Sequence, residues 1–160
     1  MTLTATPRRR LPVEWSDLLD AYRWYVVQDP ATQPCLHLES GKLTCPAAEG
    51  LDSPDDAKDR LAPLPLKSPL DAIEQRMQFA GSLCDPQFRK ELTATLSDKR
   101  IFKRFDEILA TEPTLETRWR EEERNKDLEA LLGWLARLGV EPDPMPSLTR
   151  TVLAFPLRRE

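Results

Sequence analysis

Four side chains could act as soft metal ligands or nucleophiles: Cys35, His37, Cys45 and Cys84, which together hold every cysteine and the one histidine of the chain. Thiolates and imidazole are the donors of a tetrahedral zinc centre, whose ligands must converge within about 2.0–2.3 Å of one ion. The spacing argues against it. Cys35-Leu36-His37-Leu38-Glu39, a Ser40-Gly41 pair and Lys42-Leu43-Thr44-Cys45 read as a β-hairpin with a two-residue turn. Side chains alternate between faces along each strand, so Cys35 and His37 point to one face and Cys45 to the other. As a nucleophile pair, Cys35 and His37 share a face, but no motif beside them marks an oxyanion site. Carboxylate pairs, Glu14 with Asp17 and Glu121 to Glu123, fall on helix exteriors and read as solvated charge rather than acid–base machinery. The odd cysteine count and the absence of C-x-x-C spacing give no disulfide framework and make a reducing cytosol the default. Five glycines, at 41, 50, 81, 133 and 139, form neither a phosphate-cradling loop nor a dinucleotide cluster. No catalytic residue, metal ligand or cofactor is therefore assigned.

Charge offers a more specific candidate. The chain is acidic, with 23 Lys and Arg against 27 Asp and Glu for a net charge of −4, yet segment 89–104 carries six cations and two acids. The cations are Arg89, Lys90, Lys99, Arg100, Lys103 and Arg104. On a helix near 98–110, Ile101, Phe102, Phe105, Ile108 and Leu109 occupy one arc of about 120°, with the cations opposite. Lys99 with Lys103 and Arg100 with Arg104 are like-charge pairs four apart, each costing a few tenths of a kcal/mol, and a surface that keeps them can attract phosphate or an acidic protein. Asp106 and Glu107 offer partial local neutralisation. Because Phe102 and Phe105 belong to the apolar arc, no exposed ring interleaves the cations, which places an acidic protein ahead of nucleic acid as partner.

These residues must be held by local elements that the sequence punctuates clearly. Trp15, Leu18, Leu19, Tyr22 and Val26 mark one face of a helix from about Val13 to Gln28, ended by Asp29-Pro30. The hairpin pairs Glu39 with Lys42, Leu38 with Leu43, His37 with Thr44 and Leu36 with Cys45, leaving one apolar face that needs a helix beneath it. Residues 46–67 read as an acidic, Pro-rich loop. Ser68-Pro69 then opens a helix to about 84, with Leu70, Ile73, Met77, Ala80 and Cys84 inward, and Asp85-Pro86 opens a short one on Phe88, Leu92 and Leu96. Ser97 caps the cationic helix. A last helix, about 114–138, is anchored by Leu115, Trp119, Leu128, Leu131, Leu132, Leu135 and Leu138 and stopped by Gly139. Its stretch from Arg120 to Asp127 is wholly polar and predicts a bend, fraying or a split. Trp15 and Trp119 fit core stripes, whereas Trp24 and Trp134 lie off the main apolar rows and either line a partner groove or, the favoured reading, extend the core. Thr151 to Phe155 is a candidate edge strand.

Several consecutive pieces resemble an uncharacterised bacterial protein family of unknown function over about residues 13–142. They are the early helix around Trp15, the hairpin Leu38-Glu39-Ser40-Gly41-Lys42-Leu43, the Met77-Phe79 helix, Ile101-Phe102-Lys103-Arg104-Phe105-Asp106-Glu107-Ile108-Leu109, Trp119, and Trp134-Leu135 before Leu138-Gly139-Val140. The resemblance implies a bacterial intracellular protein and carries no catalytic residue across.

The sequence therefore predicts a single α+β domain of about five helices with one β-hairpin packed against them. Residues 1–11 are expected as a flexible basic tail, 12–142 as the globular domain and 143–160 as a Pro-rich segment. No uncharged apolar run reaches membrane-spanning length, so no membrane partner is expected. The function expected is a non-enzymatic cytoplasmic interaction or adaptor domain that meets another protein through the cationic face. A nucleic-acid-binding accessory protein is the alternative, and a hydrolase with an unrecognised acidic site the second.

Overall fold

The computed structural model describes residues 9–24 and 29–147 of the 160. In chain order the elements are β1 (Arg9–Pro12), α1 (Trp15–Trp24), β2 (Cys35–His37), β3 (Leu43–Thr44), β4 (Leu61–Pro63), α2 (Pro69–Gly81), α3 (Pro86–Thr95), α4 (Ile101–Leu109), α5 (Pro113–Arg137) and β5 (Val140–Asp143). Five helices with short strands make the fold α+β, as the sequence predicts. The described residues form two compact units: those within Met1–Lys67 and Asp127–Leu148, and Ser68–Lys126. α5 gives its first half to the second unit and its second half to the first.

In the first unit, β1 pairs in parallel with β5, Arg9 opposite Val140 and Leu11 opposite Pro142. Arg9–Leu11, expected as part of a flexible basic tail, is therefore a strand, because Leu11 and Val13 bury beside Val140 in the core. Residues 1–8, the candidate strand Thr151–Phe155 and the end of the first helix with Val26 and Gln28 lie outside the described residues. The apolar stripe of α1 packs as predicted, with Leu18 buried and Trp15, Leu19 and Tyr22 partly buried against Leu36, Leu131, Trp134 and Leu135. The hairpin thus finds its helices.

Its register differs from the expected one. Leu36 faces Leu43 and Cys35 faces Thr44, a slip of two residues that leaves these paired side chains on their predicted faces. The cause lies in the turn, which holds four residues instead of two. The Gly41 N–H donates to the His37 carbonyl (2.8 Å), and the N–H groups of Glu39 and Ser40 donate to His37 Nδ1 (3.2 and 3.4 Å). Gly41 has φ +75 and is buried against Pro12, where a Cβ would fall on the Pro12 carbonyl oxygen, so only glycine fits. Residues 46–67, expected as an acidic loop, instead carry two 3-10 turns (Pro46–Glu49 and Pro54–Ala57) and β4, which adds antiparallel to β2. The spaced apolar residues Ala57, Leu61, Ala62 and Leu64 all bury, which a composition dominated by acids and prolines conceals.

In the second unit the predicted caps form. Ser68 Oγ accepts from the Asp71 N–H (3.0 Å), and Asp85 Oδ1 accepts from those of Gln87 and Phe88 (3.0 and 3.3 Å). Ser97 does not cap: α4 starts later, at Ile101, and Asp98 Oδ1 takes the Arg100 N–H (2.8 Å). α2 turns inward a face shifted from the one expected. Ala80 is buried and Ile73 half-buried as expected, but Leu70 and Met77 are 77% and 54% exposed and Cys84 is exposed, and Arg76 and Phe79 are buried in their place. The Arg76 guanidinium lies 4.7 Å from the Phe102 ring centroid, 5.4 Å from Phe105 and 5.0 Å from Trp119, and 3.8 Å from the buried Glu123 carboxylate. Stacking and an ion pair let a cation sit inside where apolar counting places Met77. Phe79, Phe105 and Trp119 meet edge to face at 5.2–6.4 Å, each such pair contributing about 0.5–1.5 kcal/mol beyond its burial.

The polar stretch of α5 belongs to one continuous helix, and two of its acids, Glu123 and Asp127, are buried rather than solvated. Glu123 is held by Arg76 in the second unit. In the first, Asp127 accepts from Arg23 Nε (2.6 Å) and pairs with Lys67 Nζ (3.1 Å). Glu123, expected on a helix exterior, is thus interior. Gly139, with φ +73, ends α5 as predicted.

Candidate functional site

All six predicted cations are exposed, on α3, on the α3–α4 connection and on α4. They are not equivalent. Arg104 reaches Asp98 (3.7 Å) and Glu107 (3.4 Å), and Arg89 Nη1 donates to the Leu83 carbonyl (3.1 Å), so both are partly occupied within the unit. Lys90, Lys99, Arg100 and Lys103 make no ion pair among the described residues. Because α4 begins at Ile101, Lys99 precedes the helix and Arg100 is its N-cap, so the two like-charge pairs are not stacked along helical turns as the sequence expects.

Phe102 departs from its predicted place. It is 37% exposed, with the Arg76 guanidinium 4.7 Å from its ring centroid, and so is not hidden with Phe105. Phe105 and Leu109 are fully buried, and Ile101 and Ile108 half-buried. Behind this surface, burial pushes the Asp106 carboxyl above its ordinary value, against the lowering influence of Arg120 and Arg76. Asp106 Oδ1 and Trp119 Nε1 are buried without a hydrogen-bond partner among the described residues.

The soft donors do not assemble. Cys35 is buried, with its thiol pushed up to about 11 by burial first and by Cys45 second, so it stays protonated at neutral pH. His37 Nε2 faces Glu49 at 3.7 Å. No group of three metal-ligating side chains forms among the described residues.

The first unit holds a cleft that sequence reasoning missed. It measures about 560 Å³, within the range of ligand pockets. It is lined by Pro12, Val13, Leu18, Gly41, Leu43 and Pro144 and by the polar residues Glu14, Asp17, Ser40, Lys42 and Asp143. Three pins set the shape: the Val13 N–H donates to the Asp143 carbonyl (2.9 Å), Trp15 Nε1 donates to the Pro144 carbonyl (2.7 Å), and Gly41 rests on Pro12. Beyond Asp17 and Leu43 it continues as a shallower groove past Asp20 and Ala21 to Trp24, which is 63% exposed instead of extending the core; Trp134 does extend it. Glu14 and Asp17 were visible as a carboxylate pair, but only the approach of the hairpin turn and β5 gives them a hollow to face. Asp106, the acid whose carboxyl burial pushes up, is not among the residues lining this cleft. Among the described residues no helix is long and apolar enough to cross a membrane. Comparisons with family models, with curated proteins and with solved structures return no match.

Proposed function

We propose that the protein is a non-enzymatic, cytoplasmic interaction or adaptor domain of a bacterial cell that binds another protein through the cationic surface of α3 and α4. The supporting observation is that Lys90, Lys99, Arg100 and Lys103 stand exposed without an ion-pair partner among the described residues, in a chain whose net charge is −4. Cations left unneutralised raise the local concentration of an acidic partner and speed its encounter. Arg89 and Arg104 contribute less, since their guanidinium groups already have partners.

The test is affinity purification of the wild-type chain and of a variant with Lys90, Lys99, Arg100 and Lys103 all replaced by Gln, with mass-spectrometric identification. A set of acidic proteins enriched by the wild type and lost with the variant supports the reading. Equal recovery by both overturns it.

The exposure of Phe102 favours nucleic acid as the second reading, because an aromatic edge among cations is where an unpaired base can stack. Four contacts to a single strand give a log–log salt slope of about −2.8, or about a 50-fold loss of affinity between 50 and 200 mM salt. A labelled single-stranded RNA that shows this slope, and weakens on Phe102→Ala, selects that reading.

A further inference from the structure

We propose that the cleft and groove of the first unit form a docking site for an extended segment of a partner protein in which an arginine or lysine is followed by an apolar residue. The site is separate from the cationic surface and does not depend on it.

Three observations carry this. First, the charge is one-sided: Glu14, Asp17 and Asp143 are among the residues lining the cleft and Asp20 among those lining the groove, against Lys42 alone, and none of these acids makes an ion pair among the described residues. A cationic side chain entering between apolar walls would complement that charge, with its aliphatic stem on Pro12 and Pro144. Second, Asp17, Asp20, Ala21 and Trp24 lie on one face of α1 and line the groove with Leu43, so the acids are followed by an apolar floor. Third, β3 is the edge of its sheet. The His37 N–H donates to the Lys42 carbonyl (2.9 Å), which makes that pair hydrogen-bonded and its neighbour, Leu36 with Leu43, the non-bonded one. The N–H and C=O of Leu43 therefore turn away from β2 and offer an extended chain a pair of main-chain anchors. The hydrogen bonds and the glycine contact that fix the walls pre-form the site, which lowers the ordering cost of binding.

The test uses the full chain and acetylated octapeptides whose central pair is Arg-Leu, Lys-Leu, Gln-Leu, Glu-Leu or Arg-Ser, followed by fluorescence polarisation and by tryptophan emission. Arg-Leu and Lys-Leu peptides are expected to bind, Gln-Leu and Arg-Ser at least about tenfold more weakly, and Glu-Leu not at all. Binding should shift the emission in the wild type and not in Trp24→Phe. The double variant Glu14→Gln with Asp17→Asn removes exposed charges only; it should keep the thermal midpoint and lose about tenfold in affinity. Substituting Lys99 and Lys103 should change nothing, which separates this site from the cationic surface. Absence of binding by every peptide, binding indifferent to peptide charge, or full affinity in the double variant overturns the proposal. If a chain ending at Ser147 binds where the full chain does not, the groove belongs to the chain's own last residues and the partner assignment falls.

Discussion

Replacing Asp127 by asparagine removes the only anion from a buried trio. The Asp127 side chain is 2% exposed, Lys67 6% and Arg23 18%, with the carboxylate 3.1 Å from the ammonium and 2.6 Å from Arg23 Nε. The amide oxygen can still accept from Arg23, retaining a hydrogen bond worth about 1 kcal/mol. It cannot neutralise Lys67, and breaking a buried pair from one side costs about 3–5 kcal/mol. The expected net loss is about 3 kcal/mol, or about 6–12 °C in Tm for a chain of this length. Urea titration followed by far-ultraviolet circular dichroism measures it. Because the charges are shielded from solvent, most of the difference should persist in about 1 M salt, where an exposed pair would be screened away. Asp127→Leu combined with Lys67→Met and Arg23→Met removes all three charges and should recover stability to near the wild-type value. A loss below about 1 kcal/mol for the single variant, or a collapse of the difference at high salt, would refute the assignment of these residues to a desolvated network.

Arg76→Met should destabilise by about 3 kcal/mol in thermal melts, because it leaves Glu123 buried without its guanidinium, and Arg76→Lys should not restore the loss, since an ammonium lacks the planar face that stacks on Phe102, Phe105 and Trp119. Gly41→Ala and Gly50→Ala form a contrast, as both have positive φ but only Gly41 has a backbone carbonyl in the way; Gly50→Ala should cost about 1–2 kcal/mol and Gly41→Ala clearly more, measured as a difference in urea midpoint. Asp106 supplies a pH test. An acid whose folded value is raised is least costly to stability below its unfolded value, and it becomes a burden as pH rises through the folded one. Asp106→Asn should therefore be more stable than wild type at neutral pH, with the advantage vanishing below the unfolded carboxyl value of about 3.9; an advantage that grows on acidification would reverse the sign.

Residue types and short spacings already determined the signals that act within a few positions of one another. Ser68-Pro69 and Asp85-Pro86 start their helices because a side-chain oxygen and a fixed φ act on the next turn, and Gly139 ends α5 because its own backbone can turn left-handed. The apolar stripe of α1 was legible because it depends on the helix's own period, and the exposure of the six cations because an unpaired charge stays in water wherever the helix begins. Tertiary structure decided what depends on a partner from elsewhere in the chain. Arg76, Glu123 and Asp127 look like surface residues in any local window, and they bury only because an opposite charge or an aromatic face arrives from another element to offset desolvation. The β1–β5 pairing and the walls of the acidic cleft arise in the same way, from distant segments brought side by side. Hydrophobic period records which way a side chain points, whereas the fate of a charge depends on what stands opposite it.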